Sequence, residues 1–238
     1  MNASSSLWVY LSASPLLWLT ATMVAFVIAD AIAKKFNRHP VANPVVVAVV
    51  LLVVLLKLTG TSYETYFNGA QFVHFLLGPA IVALAIPLYE NRHIVARSVL
   101  PIMAALLVGS VVASSSAVLL GWAMGAPFNI LVALAPKSVT AGIAMGIARE
   151  LGGEPSLAAT FVLATGILGG IMVFPLMRLL RIKDDRAVGF AAGLASHGLG
   201  TAVAFQMSPL AGSFAGIALG LNGLMTALIV PVLIRFFG

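Results

Sequence analysis

Two short polar tracts hold the residue types with chemical capacity in this chain, Ala135-Pro-Lys-Ser-Val-Thr-Ala-Gly142 and Ala195-Ser-His-Gly-Leu-Gly-Thr-Ala202. In the first, Pro136 stops a helix, and the amides of Lys137, Ser138 and Val139 are placed to open the next, beside an ammonium and the hydroxyls of Ser138 and Thr140. That set suits a carboxylate. In the second, Gly198 and Gly200 let a ligand approach the backbone around His197, while Ser196 and Thr201 add hydroxyl donors. Histidine titrates near neutral pH, so His197 could also couple movement of an acid to a proton. Asn222, in the last apolar stretch, is a candidate supporting group. The bland alternatives are that Lys137 snorkels or pairs with Glu150 or Glu154, and that His197 is satisfied by a backbone carbonyl. His74 has no such company and reads as structural.

The surroundings make these residues expensive. Of the 238 residues, 61% are hydrophobic and 8% charged, whereas a soluble domain carries about a quarter charged residues. Mean hydropathy is +1.09, and apolar runs long enough to cross a bilayer recur along the whole length. The chain is therefore expected to be an all-α, polytopic helical membrane protein. A lysine near the bilayer centre costs roughly 2.5–3.5 kcal/mol on insertion scales, and backbone freed by Pro or Gly finds no partner in lipid. Both tracts should face protein or water.

The net charge of +6 does not point to nucleic acid, because the basic residues sit in short loops beside apolar runs, as the positive-inside bias predicts. There is no cysteine, no His-x-x-x-His spacing and no intramembrane carboxylate pair. The expectation is a protein with no cofactor, no metal and no enzymatic activity, an intramembrane Ser196–His197 dyad being the weak exception.

About six to eight membrane segments are expected. Pro15 to Ala33 is the first span, closed by Lys34, Lys35 and Arg38, and Asn43 to Leu58 is the second; Asp30 and Lys57 near their ends should snorkel. Thr59 to Asn68 reads as an interfacial loop. Gln71 to Tyr89, kinked by Pro79 and Pro87, is the third span, and Ser98 to Met124 the fourth, its Ser114, Ser115 and Ser116 suited to helix packing. If Ala126 to Glu150 crossed fully, Arg178, Arg181, Lys183 and Arg186 would lie outside. A re-entrant hairpin with its tip at Pro136 to Thr140 keeps them inside. Pro155 to Leu180 is then a crossing helix.

Ala187 to Ser208 and Leu210 to Phe237 repeat this pattern. Thr140-Ala141 matches Thr201-Ala202, Ser156 matches Ser213, and Gly166 matches Gly223. A unit of one hairpin and one crossing has an odd number of crossings, so two successive units form an inverted repeat. The second interruption remains open between a hairpin and a broken spanning helix, and a full crossing there would place Arg235 inside. The chain is treated as one membrane domain, residues 1–238, with four N-terminal spans (15–124) and repeat-like units at 125–181 and 187–238.

Several ordered strings carry a resemblance: Gly78-Pro-Ala-Ile-Val-Ala-Leu-Ala-Ile-Pro-Leu-Tyr89, Pro136-Lys-Ser-Val-Thr140, Leu151-Gly-Gly153, Leu179-Leu-Arg-Ile-Lys-Asp184 and His197-Gly-Leu-Gly-Thr-Ala202. Beyond about residue 15 the chain resembles the LrgB/CidB family. The resemblance implies a multi-pass protein of the bacterial inner membrane, described either as a holin- or antiholin-like regulator of murein hydrolase export and cell lysis or, through plant chloroplast relatives, as a glycolate/glycerate transporter. It also implies a small LrgA/CidA-type membrane partner, and a homo-oligomer is a further expectation. Transport of a small monocarboxylate (glycolate, glycerate, lactate or pyruvate) would place the acid on Pro136, Lys137, Ser138, Thr140, Ser196, His197, Gly198, Gly200, Thr201 and Asn222. Similar proteins commonly have a glutamate where this chain has Gly146, so proton coupling through that position is not expected here.

Overall fold

A computed structural model of the chain describes residues 14–36, 42–76, 79, 82–83 and 85–237, without the side chains of His74, Pro87 and Leu88. Arg38, Gly78 and the side chain of His74 lie outside the described residues. Backbone contacts divide the chain into two units, Met1–Ala83 and Leu84–Gly238. The described residues are helical, with no strand.

The first unit contains α1 (Pro15–Lys35), α2 (Pro44–Thr59) and α3 (Tyr63–Phe75). Pro15 and Pro44 open their helices, where the missing N–H would have had no partner; Asn43 accepts from the amides of Val45 and Val46, and Gly60 ends α2 in the left-handed conformation. Ala25, Ala29 and Ala33, four residues apart, form the buried stripe of α1. Small side chains there let helices approach closely. One expectation is corrected. Tyr63 to Asn68 is helix rather than loop: Ser62 accepts from the Thr65 amide to start α3, and Tyr66 packs edge-on against Trp18 with its hydroxyl 3.2 Å from Thr22. Asp30 pairs with Lys34 at 2.6 Å, one turn on. The expected third span, Gln71 to Tyr89, falls partly outside the described residues, and only its two ends are seen as regular helix.

The second unit holds α4 (Ala85–Glu90), α5 (Arg92–Arg97), α6 (Val99–Ala123), α7 (Phe128–Leu134), α8 (Ala141–Glu150), α9 (Pro155–Leu179), α10 (Asp185–Met207) and α11 (Pro209–Ile234). Long α6 and α11 run parallel: Ile102 and Leu106 share a cluster with Phe214 and Ala218, Val118 shares one with Val230 and Ile234, and Trp122 meets Phe237 edge-on. α9 runs the other way. Its start packs on the first interruption through Ala158 and Val162, and its end reaches Ala211 through Val173.

Between these crossings the chain doubles back twice. Were α7 and α8 collinear, Val132 and Gly153 would lie about 30 Å apart. Instead a Cβ on Gly153 would sit 2.7 Å from Val132 Cγ1, so α8 returns beside α7 as the expected hairpin. For α10 the packing decides what the sequence left open. A straight helix from Asp185 to Ser208 would span about 35 Å, yet Ser208 Oγ donates to Asp185 Oδ2 at 2.6 Å, and Ala192 and Ala204 share one cluster. The two arms, 185–195 and 198–207, meet at Ser196 and His197, whose backbone is non-helical. Length and composition alone would count α10 as a span, but it enters and returns on one side.

The hairpins enter from opposite faces. Leu131, Val132, Ile147 and Leu151 cluster with Val230 and Ile234 at the end of α11, whereas Asp185 sits at its start. This is the inverted arrangement that the repeat implied. Asn91 bonds Ser213 Oγ at 3.2 Å, which puts α5 at the start of α11 as well. Arg92, Arg97, Arg178, Arg181, Lys183 and Arg186 thus share one face, with Arg149 and Arg235 on the other. By the positive-inside bias the richer face is cytoplasmic. Arg235 is on the opposite side, because α10 does not cross.

Candidate functional site

The two tips meet at the midpoint of α11. Asn222 Nδ2 donates to the carbonyl of Ser138 at 3.2 Å and to that of Leu194 at 3.1 Å, so one amide group ties the first tip to the last turn before the second. Its Oδ1 accepts from Ser110 at 2.7 Å and from Thr226 at 3.2 Å. Both hydrogens and both acceptor sites of the amide are then in use. Asn222 is 1% exposed and holds the site together; it has no valence left for a ligand.

At the first tip the amides expected to open a helix are spent within turns: that of Lys137 goes to Leu134 and that of Val139 to Pro136. The free helix start is one turn later. Thr140 caps α8 through its backbone alone, and Ala141, Gly142 and Ile143 behind it are exposed. Their N–H groups leave the positive end of α8 open. Ser138 is buried, and Lys137, half-buried, reaches its Oγ at 3.4 Å. Among the described residues Lys137 forms no ion pair. Glu154 instead accepts from Ser156, so the expected alternative pairing with that glutamate is not made.

At the second tip His197 adopts φ 43°, ψ −130°, a conformation a non-glycine residue holds only when its surroundings impose it. Val162 O lies 3.0 Å from its Nε2, and a carbonyl can only accept, so Nε2 carries hydrogen and Nδ1 is the atom that can gain or lose a proton. The bland expectation for His197, a bond to a backbone carbonyl, is met, and the strain comes in addition to it. Thr201 Oγ1 donates to His197 O at 2.9 Å, bracing the turn. Ser196 is wholly buried against Gly169, where any Cβ would collide with its Oγ, and that hydroxyl has no hydrogen-bond partner among the described residues. Gly198 is exposed with open space around it, and Gly200 lets the second arm fold onto the Ala192 carbonyl.

Each unit's crossing helix thus supports the other unit's tip. Val162 and Gly166 of α9 line His197, while Asn222 and Gly223 of α11 line Ser138 and Ile143.

Residues 22–236 match the model of the LrgB-like family. The chain belongs to the LrgB-like family. It is 32% identical over 222 residues to holin-like protein CidB of Staphylococcus aureus strain Mu50, covering 93% of this chain and 96% of that one. It is 33% identical over 216 residues to the uncharacterized protein YxaC of Bacillus subtilis strain 168, covering 91% and 94%. A protein of Haemophilus influenzae strain Rd is 34% identical over 224 residues, covering 93% and 96%. No solved structure matches. Long apolar helices and bacterial relatives together make this LrgB-like chain a multi-pass membrane protein.

Two groups escaped the sequence reading of this LrgB-like protein. Ser110 lies one turn before Ser114 on the buried face of α6, but its bond to Asn222 crosses 112 residues. The Val162 carbonyl has no side-chain signature at all. Of the flagged serines, Ser114 is buried, whereas half-buried Ser115 and exposed Ser116 bond their own helix. Gly146 leaves open space on α8 for an added Cβ.

Proposed function

We propose that this LrgB-like protein is a secondary transporter for a small monocarboxylate of the glycolate, glycerate, lactate or pyruvate class. The observation that carries this reading is Lys137, a half-buried ammonium at a hairpin tip without a carboxylate partner among the described residues. A buried charge held without its counter-ion is stabilised when a ligand brings one. Lys137, Ser138 and the open start of α8 would hold the carboxylate, with Pro136 and Thr140 shaping the turn. His197, Thr201 and the backbone at Gly198 and Gly200 would face the hydroxyl or keto oxygen, Nδ1 of His197 being the proton carrier if transport is proton-coupled. Ser196 and Asn222 hold the tips in place. Inverted hairpins meeting near the midplane fit alternating access, in which one part rocks against the other around a fixed site.

The test is uptake of labelled acid into proteoliposomes. Lys137→Ala should abolish saturable uptake while the protein stays folded and inserted; unchanged uptake would remove the assignment.

A second reading is favoured by the relatives, which carry the name holin-like protein. On it the chain regulates envelope permeability, as an oligomer or with a small LrgA/CidA-type partner. Release of unrelated solutes from vesicles, indifferent to Lys137 and His197, would establish it.

A further inference from the structure

A cleft of about 490 Å3 opens between α6 and the first arm of α10. Ser98, Asp184 and Arg186 lie at its mouth, at the starts of the two helices, and Ala195 and Gly109 at its inner end. From Asp184 to Ala195 the arm advances about 16 Å, roughly half of a 30 Å hydrocarbon core. The walls between are small or apolar, among them Ala105, Phe190 and Phe214. At the inner end Leu194 packs on Gly109, a Cβ on which would lie 2.8 Å from Leu194 Cδ1. Beyond that contact stands Ser110, bonded to Asn222, and Ala195 is the exposed neighbour of the Ser196–His197 turn.

The mouth is polar and charged. Arg186 bonds both Asp184 oxygens, and its guanidinium holds that carboxyl below the usual carboxylate range. Both groups therefore stay ionised at neutral pH, on the face that carries six of the nine Lys and Arg residues of this unit. A field of that sign gathers small anions. The opposite end of the unit is closed by the packed cluster of Val118, Leu131, Val132, Val230 and Ile234.

We propose that this cleft is a vestibule, open to solvent at its charged mouth, through which a small anion reaches the second hairpin tip from the base-rich face, with the Leu194–Gly109 contact as its floor. The structure is then the state open to that face and closed to the other. The proposal rests on the transport reading for what enters, but its geometry is tested separately.

The natural chain has no cysteine, so single cysteines can be placed in the unaltered protein. Ala195→Cys, and Ala105→Cys on the facing wall, would be treated in vesicles of each orientation with an anionic, membrane-impermeant methanethiosulfonate. Both should react from the base-rich face at least about tenfold faster than from the other, since lipid excludes a charged reagent by roughly two orders of magnitude. Gly109→Leu should slow Ala195→Cys and leave Ala105→Cys unaffected. Reaction from the opposite face, or reaction only with a membrane-permeant maleimide, would overturn the vestibule. One-sided labelling in a protein that takes up no acid would uphold it while removing the transport reading.

Discussion

Ser208 donates a hydrogen bond to Asp185 at 2.6 Å although the two stand 23 residues apart, at opposite ends of α10. With the packing of Ala192 against Ala204 and of Gly200 on the Ala192 carbonyl, that contact makes α10 a hairpin and so sets the sidedness of everything after it. The same Oγ accepts from the Ala211 amide at 3.1 Å and caps α11. Ser208→Ala should lose both bonds and destabilise the fold by about 1–2 kcal/mol. Melting followed by tryptophan fluorescence in detergent would show it; an unchanged midpoint would mean that the arms are held together elsewhere.

Asn222→Ala removes the amide shared by both tips. Interhelical side-chain bonds in membrane proteins average about 0.6 kcal/mol each, so the three lost here amount to roughly 2 kcal/mol before any cavity is counted. Asn222→Asp keeps the acceptor used by Ser110 but supplies at most one hydrogen for the two carbonyls of Ser138 and Leu194, at the cost of burying a carboxyl, and should also destabilise. Any substrate affinity should fall with the tips' alignment even though Asn222 touches no ligand. An Asn222→Ala protein with native stability would show that the tips are positioned independently.

His197 combines a strained backbone with a useful ring. Both His197→Ala and His197→Gly lose the bond to Val162, but glycine adopts φ 43° freely while alanine does not. His197→Gly should therefore be the more stable variant, by about 1 kcal/mol. Equal midpoints for the two would show that no strain is stored at this turn.

Gly193 lies where a Cβ would strike the carbonyl of Ala215 on α11, whereas the space beside Gly220 is open. Gly193→Ala must push the first arm off α11, at about 1–3 kcal/mol. Gly220→Ala should be neutral or slightly stabilising, since alanine favours helix. Comparable losses at both positions would contradict the close packing of the first arm against α11.

Much of this molecule was legible without coordinates. Apolar length gave spans starting at Pro15, Asn43, Pro155 and Leu210, each within one residue of an observed helix start, and loop charge favoured the first hairpin. These are local or additive quantities, because the bilayer penalises each exposed charge and each unpaired amide wherever it occurs. The last six residues of the expected loop Thr59 to Asn68 are helix for the opposite reason, since Tyr66 is held by its contacts with Trp18 and Thr22.

By itself, then, the sequence determined an all-α membrane chain, its two interrupted segments and the residues of chemical interest in them. The tertiary structure decided that α10 turns back, that the tips meet, and that Asn222 is consumed in joining them. Those facts reside in bonds such as Ser110 to Asn222 and Val162 to His197, which join residues 112 and 35 positions apart. A hydrogen bond of that span leaves no local pattern, and a backbone carbonyl leaves none at all. Only the packing of the helices brings such partners within reach.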